Sequence, residues 1–158
     1  MKFLLSFLVA LFCSSAAVSQ VKCYKGSFRM SSDLCYRIDN NQLYRSTGTF
    51  RDVEYLFVSG SVVYFGRKGD MQNPLYTFQK DKIYKGNSTM NSDLLYTIYD
   101  NGIYPGTSTV SSDCLYSIDK GMVYRGTSTS LFDILLSCDK EALSPEELLL
   151  LMAAVLPY

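Results

Sequence analysis

Three sets of residues in this 158-residue chain have types and spacings that could do chemistry. The first is a column of tyrosines: Tyr24, Tyr44, Tyr64, Tyr84, Tyr104 and Tyr124, spaced by 20 residues without a gap. A regular strip of flat rings with hydroxyl edges suits sugar rings or a partner surface. The second is a run of oxygen donors, Ser88, Thr89, Ser92 and Asp93, repeated as Ser108, Thr109, Ser112 and Asp113. Clustered oxygens can hold Ca²⁺. Each loop brings one carboxylate, however, and such side chains also fix irregular loops by bonding nearby backbone groups. The loop-fixing use is the expected one, and no metal or cofactor is assigned. The third set is four cysteines, Cys23, Cys35, Cys114 and Cys138.

Composition excludes several functions. There is no His, so no Ser-His-Asp or Cys-His arrangement and no imidazole metal ligand. The 15 basic and 15 acidic side chains cancel, leaving no basic footprint for nucleic acid. No Cys-x-x-Cys pair suggests zinc. Gly66-Arg67-Lys68-Gly69 lacks the strand-loop-helix setting of a phosphate loop. The Asp residues recur with the tyrosines, as structural residues do, whereas an active site is normally unique. The expectation is therefore a protein that is not an enzyme. A hydrolase with an unrecognised carboxylate pair is the trailing alternative.

The elements that position these residues begin after a targeting segment. Met1-Lys2 gives a positive start, Phe3 to Cys13 an apolar run, and Ser14 to Gln20 a small and polar stretch. Ala17-Val18-Ser19 fits the small-x-small cleavage rule. Residues 1–19 are read as a signal peptide, with Gln20 as the mature start. The run is shorter than the roughly 20 residues that span a bilayer. Bulky Leu11-Phe12 argue against a lipid anchor at Cys13. Cleavage leaves the four cysteines above, an even number suited to disulfides in an exported chain. The expected location is secreted or periplasmic, with no transmembrane segment in the mature chain.

Residues 20–140 form the repeat domain. Six in-phase copies of IYxGxSTxxSDxLYxI, each with a four-residue link, fill residues 21–140. Before each Tyr stands Cys23, Leu43, Val63, Ile83, Ile103 or Val123. A second column runs Tyr36, Leu56, Tyr76, Tyr96, Tyr116 and Leu136, and a third Ile38, Val58, Phe78, Ile98, Ile118 and Cys138. Each copy reads as two short strands rich in Tyr, Ile, Leu and Val. The links between copies carry hairpin signals such as Asp100-Asn101-Gly102, whose residues tolerate positive φ. The loop inside each copy is longer. Asn87-Ser88-Thr89 within one such loop is a glycosylation sequon, relevant only to a eukaryotic secretory pathway.

Two all-β architectures fit: an antiparallel meander of six hairpin repeats, or a β-solenoid. In a solenoid Asp93, Asp113 and Asp133 would stack about 4.8 Å apart, an unfavourable arrangement without a cation. The meander is preferred. Its layout resembles MORN-type hairpin repeats, in Tyr84-x-Gly86 followed by Tyr96 and then Tyr104-x-Gly106. The repeat IYKGNSTMNSDLLYTI also resembles that of uncharacterised bacterial secreted proteins. That resemblance implies secretion and repeat architecture, and no activity.

Residues 141–158 change character. Ser144-Pro145-Glu146-Glu147 is a helix start, with Ser as N-cap, Pro first and Glu three after the cap. The helix is expected from Pro145 to about Leu156, apolar around almost its whole circumference and hence buried as a cap on the sheet. In an open meander Cys23 and Cys35 lie on neighbouring strands of the first hairpin, and a bridge there would staple an exposed end. Cys114 and Cys138 lie two strands apart, beyond the roughly 7 Å reach of a disulfide unless the last copy departs from the pattern. The expected function is a protein-interaction or structural module outside the cytoplasm. The alternative is a polysaccharide-binding module using the tyrosine column.

Overall fold

The computed structural model describes residues 20–46 and 52–157. The signal-peptide reading lies outside the described residues. The strands are β1 (Val21–Lys25), β2 (Leu34–Asp39), β3 (Gln42–Arg45), β4 (Val53–Ser59), β5 (Val62–Phe65) and β6 (Pro74–Gln79). They continue as β7 (Lys82–Lys85), β8 (Leu94–Tyr99), β9 (Gly102–Pro105), β10 (Tyr116–Asp119), β11 (Met122–Arg125) and β12 (Ile134–Cys138). One helix follows, α1 (Pro145–Val155). Every strand pairs antiparallel with its sequence neighbours, as the hairpin meander requires and a solenoid does not. The meander also closes: β1 pairs with β12, and the sheet is a barrel.

Both connection types follow from local chemistry. The tight turns need left-handed backbone. At Asn40 and Asn41 φ is 50° and 64°, and at Asp100 and Asn101 it is 46° and 61°. Asn and Asp tolerate these values through short polar side chains. The tight turns all lie at one end of the barrel and the long loops at the other. Four long loops end in a single 3-10 turn, over Ser31–Asp33, Asn91–Asp93, Ser111–Asp113 and Leu131–Asp133.

Five of the six second strands, all but β10, carry a bulge next to the long loop. Ile83 pairs with Tyr96 while Tyr84 pairs with Leu94, so Leu95 has no partner of its own. The same step occurs at Cys35, Tyr55, Leu75 and Leu135. A bulge turns two consecutive side chains to one face. This is how adjacent Leu95 and Tyr96 both pack against the core. The unpaired carbonyls are used: the amides of Gly26, Ser46, Gly66, Gly86, Gly106 and Gly126 donate to the oxygens of Leu135, Cys35, Tyr55, Leu75, Leu95 and Leu115 at 2.8–3.0 Å. The Gly26 bond crosses the closure between last and first copies.

The lumen holds the core. Leu43, Val63, Ile83, Ile103 and Val123 are essentially inaccessible and cluster with Leu150, Leu151, Met152 and Ala153 of α1. Eight strands leave space for side chains alone, whereas twelve open a lumen that admits a helix about 10 Å across. The 11 residues of α1 rise about 16 Å, close to the height of the strands. The chain leaves β12 at the tight-turn end, and α1 runs from there to the long-loop end, where the Tyr76 hydroxyl donates to the Pro157 carbonyl at 2.6 Å. The helix is therefore an axial plug, not a cap laid over an open sheet. Its start has the expected capping box: Ser144 Oγ accepts from the Glu147 amide at 3.2 Å, and the Glu147 carboxylate accepts from the Ser144 amide at 2.7 Å. Lys140 adds an ion pair to Glu147 at 2.8 Å. No helix among the described residues is long and apolar enough to cross a membrane.

Candidate functional site

The tyrosine column faces outward, because the residue before each Tyr faces the lumen and strand side chains alternate. Outward does not mean exposed here. Tyr64, Tyr84, Tyr104 and Tyr124 are each at most 8% accessible, and Tyr24 and Tyr44 are half-buried. Each lies across from a residue of the neighbouring second strand, as Tyr84 from Thr77 and Tyr104 from Thr97. Thr77 and Thr97 hydroxyls donate to the Gly86 and Gly106 carbonyls at 2.7 and 2.6 Å, which draws the loop starts in beside the rings. Tyr64 stacks on Phe57 with centroids 5.0 Å apart, and the Arg37 guanidinium sits 4.4 Å from the Tyr44 centroid. The six rings thus form no open flat strip.

The Ser/Asp motif is a loop lock. Ser88 Oγ donates to Asp93 Oδ2 at 2.5 Å, Ser108 to Asp113 at 2.7 Å and Ser128 to Asp133 at 2.6 Å. The same hydroxyls accept from the amides of Met90, Val110 and Ser130 at 3.1–3.3 Å. Locked in this way, the loops turn apolar side chains to solvent. Met90 is 67% accessible, Val110 60%, Leu131 68% and Phe132 99%. Phe28, Met30 and Met71 do the same in the first and third copies. No group of three or more acidic, Cys or His side chains that could hold a metal occurs among the described residues.

The drifted third copy is held by a residue that sequence reasoning missed. Gln42 is buried, and its Nε2 donates to the carbonyls of Leu56 and Gly66, both at 3.0 Å. Its Oε1 accepts from the Lys68 amide at 2.6 Å. The equivalent positions hold Lys22, Val62, Lys82, Gly102 and Met122, so nothing in the column marks the glutamine.

The long-loop mouth of the lumen adds a second ring. Lys25, Arg45, Lys85 and Arg125 pair across strands with Leu136, Tyr36, Tyr76 and Tyr116, and so share their inward register. None of the four makes a salt bridge among the described residues. Beneath them lie phenols whose ionisation is suppressed. Burial, followed by the neighbouring phenols Tyr96 and Tyr55, pushes Tyr76 up to about 12. Burial also raises Tyr36 and Tyr96.

The cysteine pairing differs from the expected one. Cys23 is bonded to Cys138, and Cys35 and Cys114 are free. Closure is the reason. Cys23 and Cys138 are opposed across the β1–β12 seam, at the position where the other junctions place Ile38 opposite Leu43 or Val58 opposite Val63. Cys35 is the bulge residue of the first hairpin, and Cys23 pairs with Tyr36 beside it. Burial raises the Cys35 thiol, which leaves it a weak nucleophile. Cys114 sits before β10, its sulfur near the Tyr116 carbonyl at 3.3 Å.

Six hairpins in a ring, clasped at one seam and plugged by a helix, define a closed repeat barrel of sixfold pseudosymmetry. The chain matches the 6-fold beta flower protein family over residues 23–149, and it belongs to that family. No curated protein and no solved structure matches it.

Proposed function

We propose that this protein is an exported, non-enzymatic module that holds a partner protein against the long-loop end of its barrel. The observation that carries this reading is an asymmetry between the two ends. Ten large apolar side chains are exposed among the described residues, and all but Tyr99 lie on or beside the long loops. Contiguous exposed apolar surface marks interaction sites. Scattered over both ends, the same residues would need no explanation. Export is supported by the N-terminal pattern and by the disulfide, which suits an oxidising compartment. The buried state of the outer tyrosines weighs against sugar binding through that column.

The test is crosslinking in the protein's native surroundings, with wild type beside a Phe28→Ser, Leu131→Ser, Phe132→Ser triple variant. A protein should co-purify with wild type and be lost with a variant that still folds. Equal recovery with the variant would contradict the loop-end reading. Recovery of glycan or lipid alone would replace the partner class.

A further inference from the structure

Beside α1 lies a cavity of about 320 Å³, lined by the stripe Leu148, Leu149 and Met152 on one side and by Ile98, Ile103 and Ile118 on the other. We propose that this cavity binds the tail of a medium-chain anionic amphiphile, of the fatty-acid type, with the headgroup at Lys80. It lies at the tight-turn end of the lumen and does not depend on the loop-end reading.

The helix sits off centre in the lumen. It leans on β4 and β5, which leaves space across the lumen at β8–β10. The effect is visible within one repeat column. Ile38, Val58 and Cys138 are buried, whereas Ile98 and Ile118 remain half-open. Helix residues Pro145, Leu148, Leu149 and Met152 follow i, i+3, i+4, i+7 spacing, so one face of α1 forms the cavity wall. Two of the four consecutive Leu residues of the helix are thus not fully committed to packing: Leu148 and Leu149 stay half-buried while Leu150 and Leu151 are fully buried.

The walls are apolar, and the polar residues among the lining are Lys80 and Asn101, both exposed residues of tight turns. Lys80 makes no ion pair among the described residues. One cation and one amide at the rim of an apolar slot fit a single anionic head on an unbranched tail. A cavity of about 150 Å³ accommodates benzene, so the present one takes roughly ten carbons. The seam beside it is thin, because β9 and β10 share two pairs, Ile103 with Tyr116 and Gly102 with Ser117.

The experiment is calorimetric titration of the full disulfide-bonded chain with decanoate and with decanol. Decanoate should bind one to one, with each methylene removed weakening it about fourfold. Lys80→Ala should weaken decanoate about fivefold and leave decanol unchanged. Ile118→Trp and, as a milder filling variant on the helix side, Leu149→Phe should each abolish binding with unchanged circular dichroism. Absence of saturable decanoate binding overturns the proposal, as does binding that survives Leu149→Phe in a folded protein. Equal affinity for decanol, with no effect of Lys80→Ala, overturns the assignment of an anionic head.

Discussion

Five junctions between neighbouring hairpins are made by two-residue turns, and the sixth is made by a disulfide. The two kinds of junction hold the same geometry by different means. At a turn, Ile98 faces Ile103 because Asp100 and Asn101 bend the chain back between them. At the seam no turn exists, since the chain leaves β12 for the helix. There Cys23 faces Cys138 with Cα atoms 4.0 Å apart at a sequence separation of 115. The flanking backbone is paired as well: the Lys22 amide donates to Asp139 Oδ1 at 2.8 Å, and the Asp139 amide to the Lys22 carbonyl at 2.9 Å. A turn closes a local loop at small entropic cost. Closing the whole ring without a covalent link would cost the entropy of the longest loop in the molecule. The disulfide is thus the counterpart of a turn, placed where local chain geometry has none to offer.

The largest expected effect breaks that comparison directly. Cys138→Ala should destabilise the barrel by about 4–5 kcal/mol on the chain-entropy account for a loop of this length. Cys35→Ala, measured by the same urea titration, should cost far less. Equal losses would remove the special standing of the seam. Next is the plug that both kinds of junction enclose. Leu151 is fully buried in α1, and Leu151→Ala should cost about 2–5 kcal/mol through lost burial and a cavity.

A pair of glycines sharpens the contrast between an ordinary turn and one touched by the seam crossover. Gly60 and Gly121 have φ of 61° and 72°. A Cβ at Gly60 meets open space, so Gly60→Ala should cost about 1 kcal/mol for the left-handed backbone alone. A Cβ at Gly121 would collide with the Lys140 carbonyl oxygen, where the chain leaves the last strand for the helix. Gly121→Ala should therefore cost clearly more, about 2–3 kcal/mol, by thermal or urea unfolding.

The smallest effect concerns alkaline pH at the mouth where the helix ends. Tyr76 ionises near 12 in the fold and near its ordinary value of about 10 when unfolded. Below about pH 10 both states keep the proton, and stability does not depend on this group. Between about 10 and 12 the unfolded phenol ionises first, so stability falls as pH rises. Tyr76→Phe should flatten that decline in urea midpoints measured from pH 9 to 11.5.

Much of the wall of this barrel is legible in the sequence, because its determinants are local. The Tyr column, the apolar columns and the Asp-Asn-Gly link specify strands and hairpins within a few residues. Ser144 and Glu147 specify the helix start in the same way. Closure is not local: it depends on accumulated twist and tilt over twelve short strands, which no single repeat encodes. Its trace is nonetheless present. Cys23 stands in the column that precedes each Tyr, and Cys138 in the column of Ile38, and these two columns meet at every junction. Their pairing follows once the ring is allowed to close. The bulge likewise had a signal, in adjacent Leu95-Tyr96 and Cys35-Tyr36, which a regular strand would send to opposite faces. The candidate site was less legible. Burial of the outer tyrosines depends on loops folding in beside them, and the helix-side cavity depends on how α1 leans within the lumen.

The closed ring is tested most directly by peptide mapping of the non-reduced protein after alkylation of free thiols. The account predicts a peptide linking Cys23 to Cys138, with Cys35 and Cys114 both alkylated. A link between Cys23 and Cys35 would contradict it, since that pairing belongs to an open meander whose first hairpin has no partner in the last.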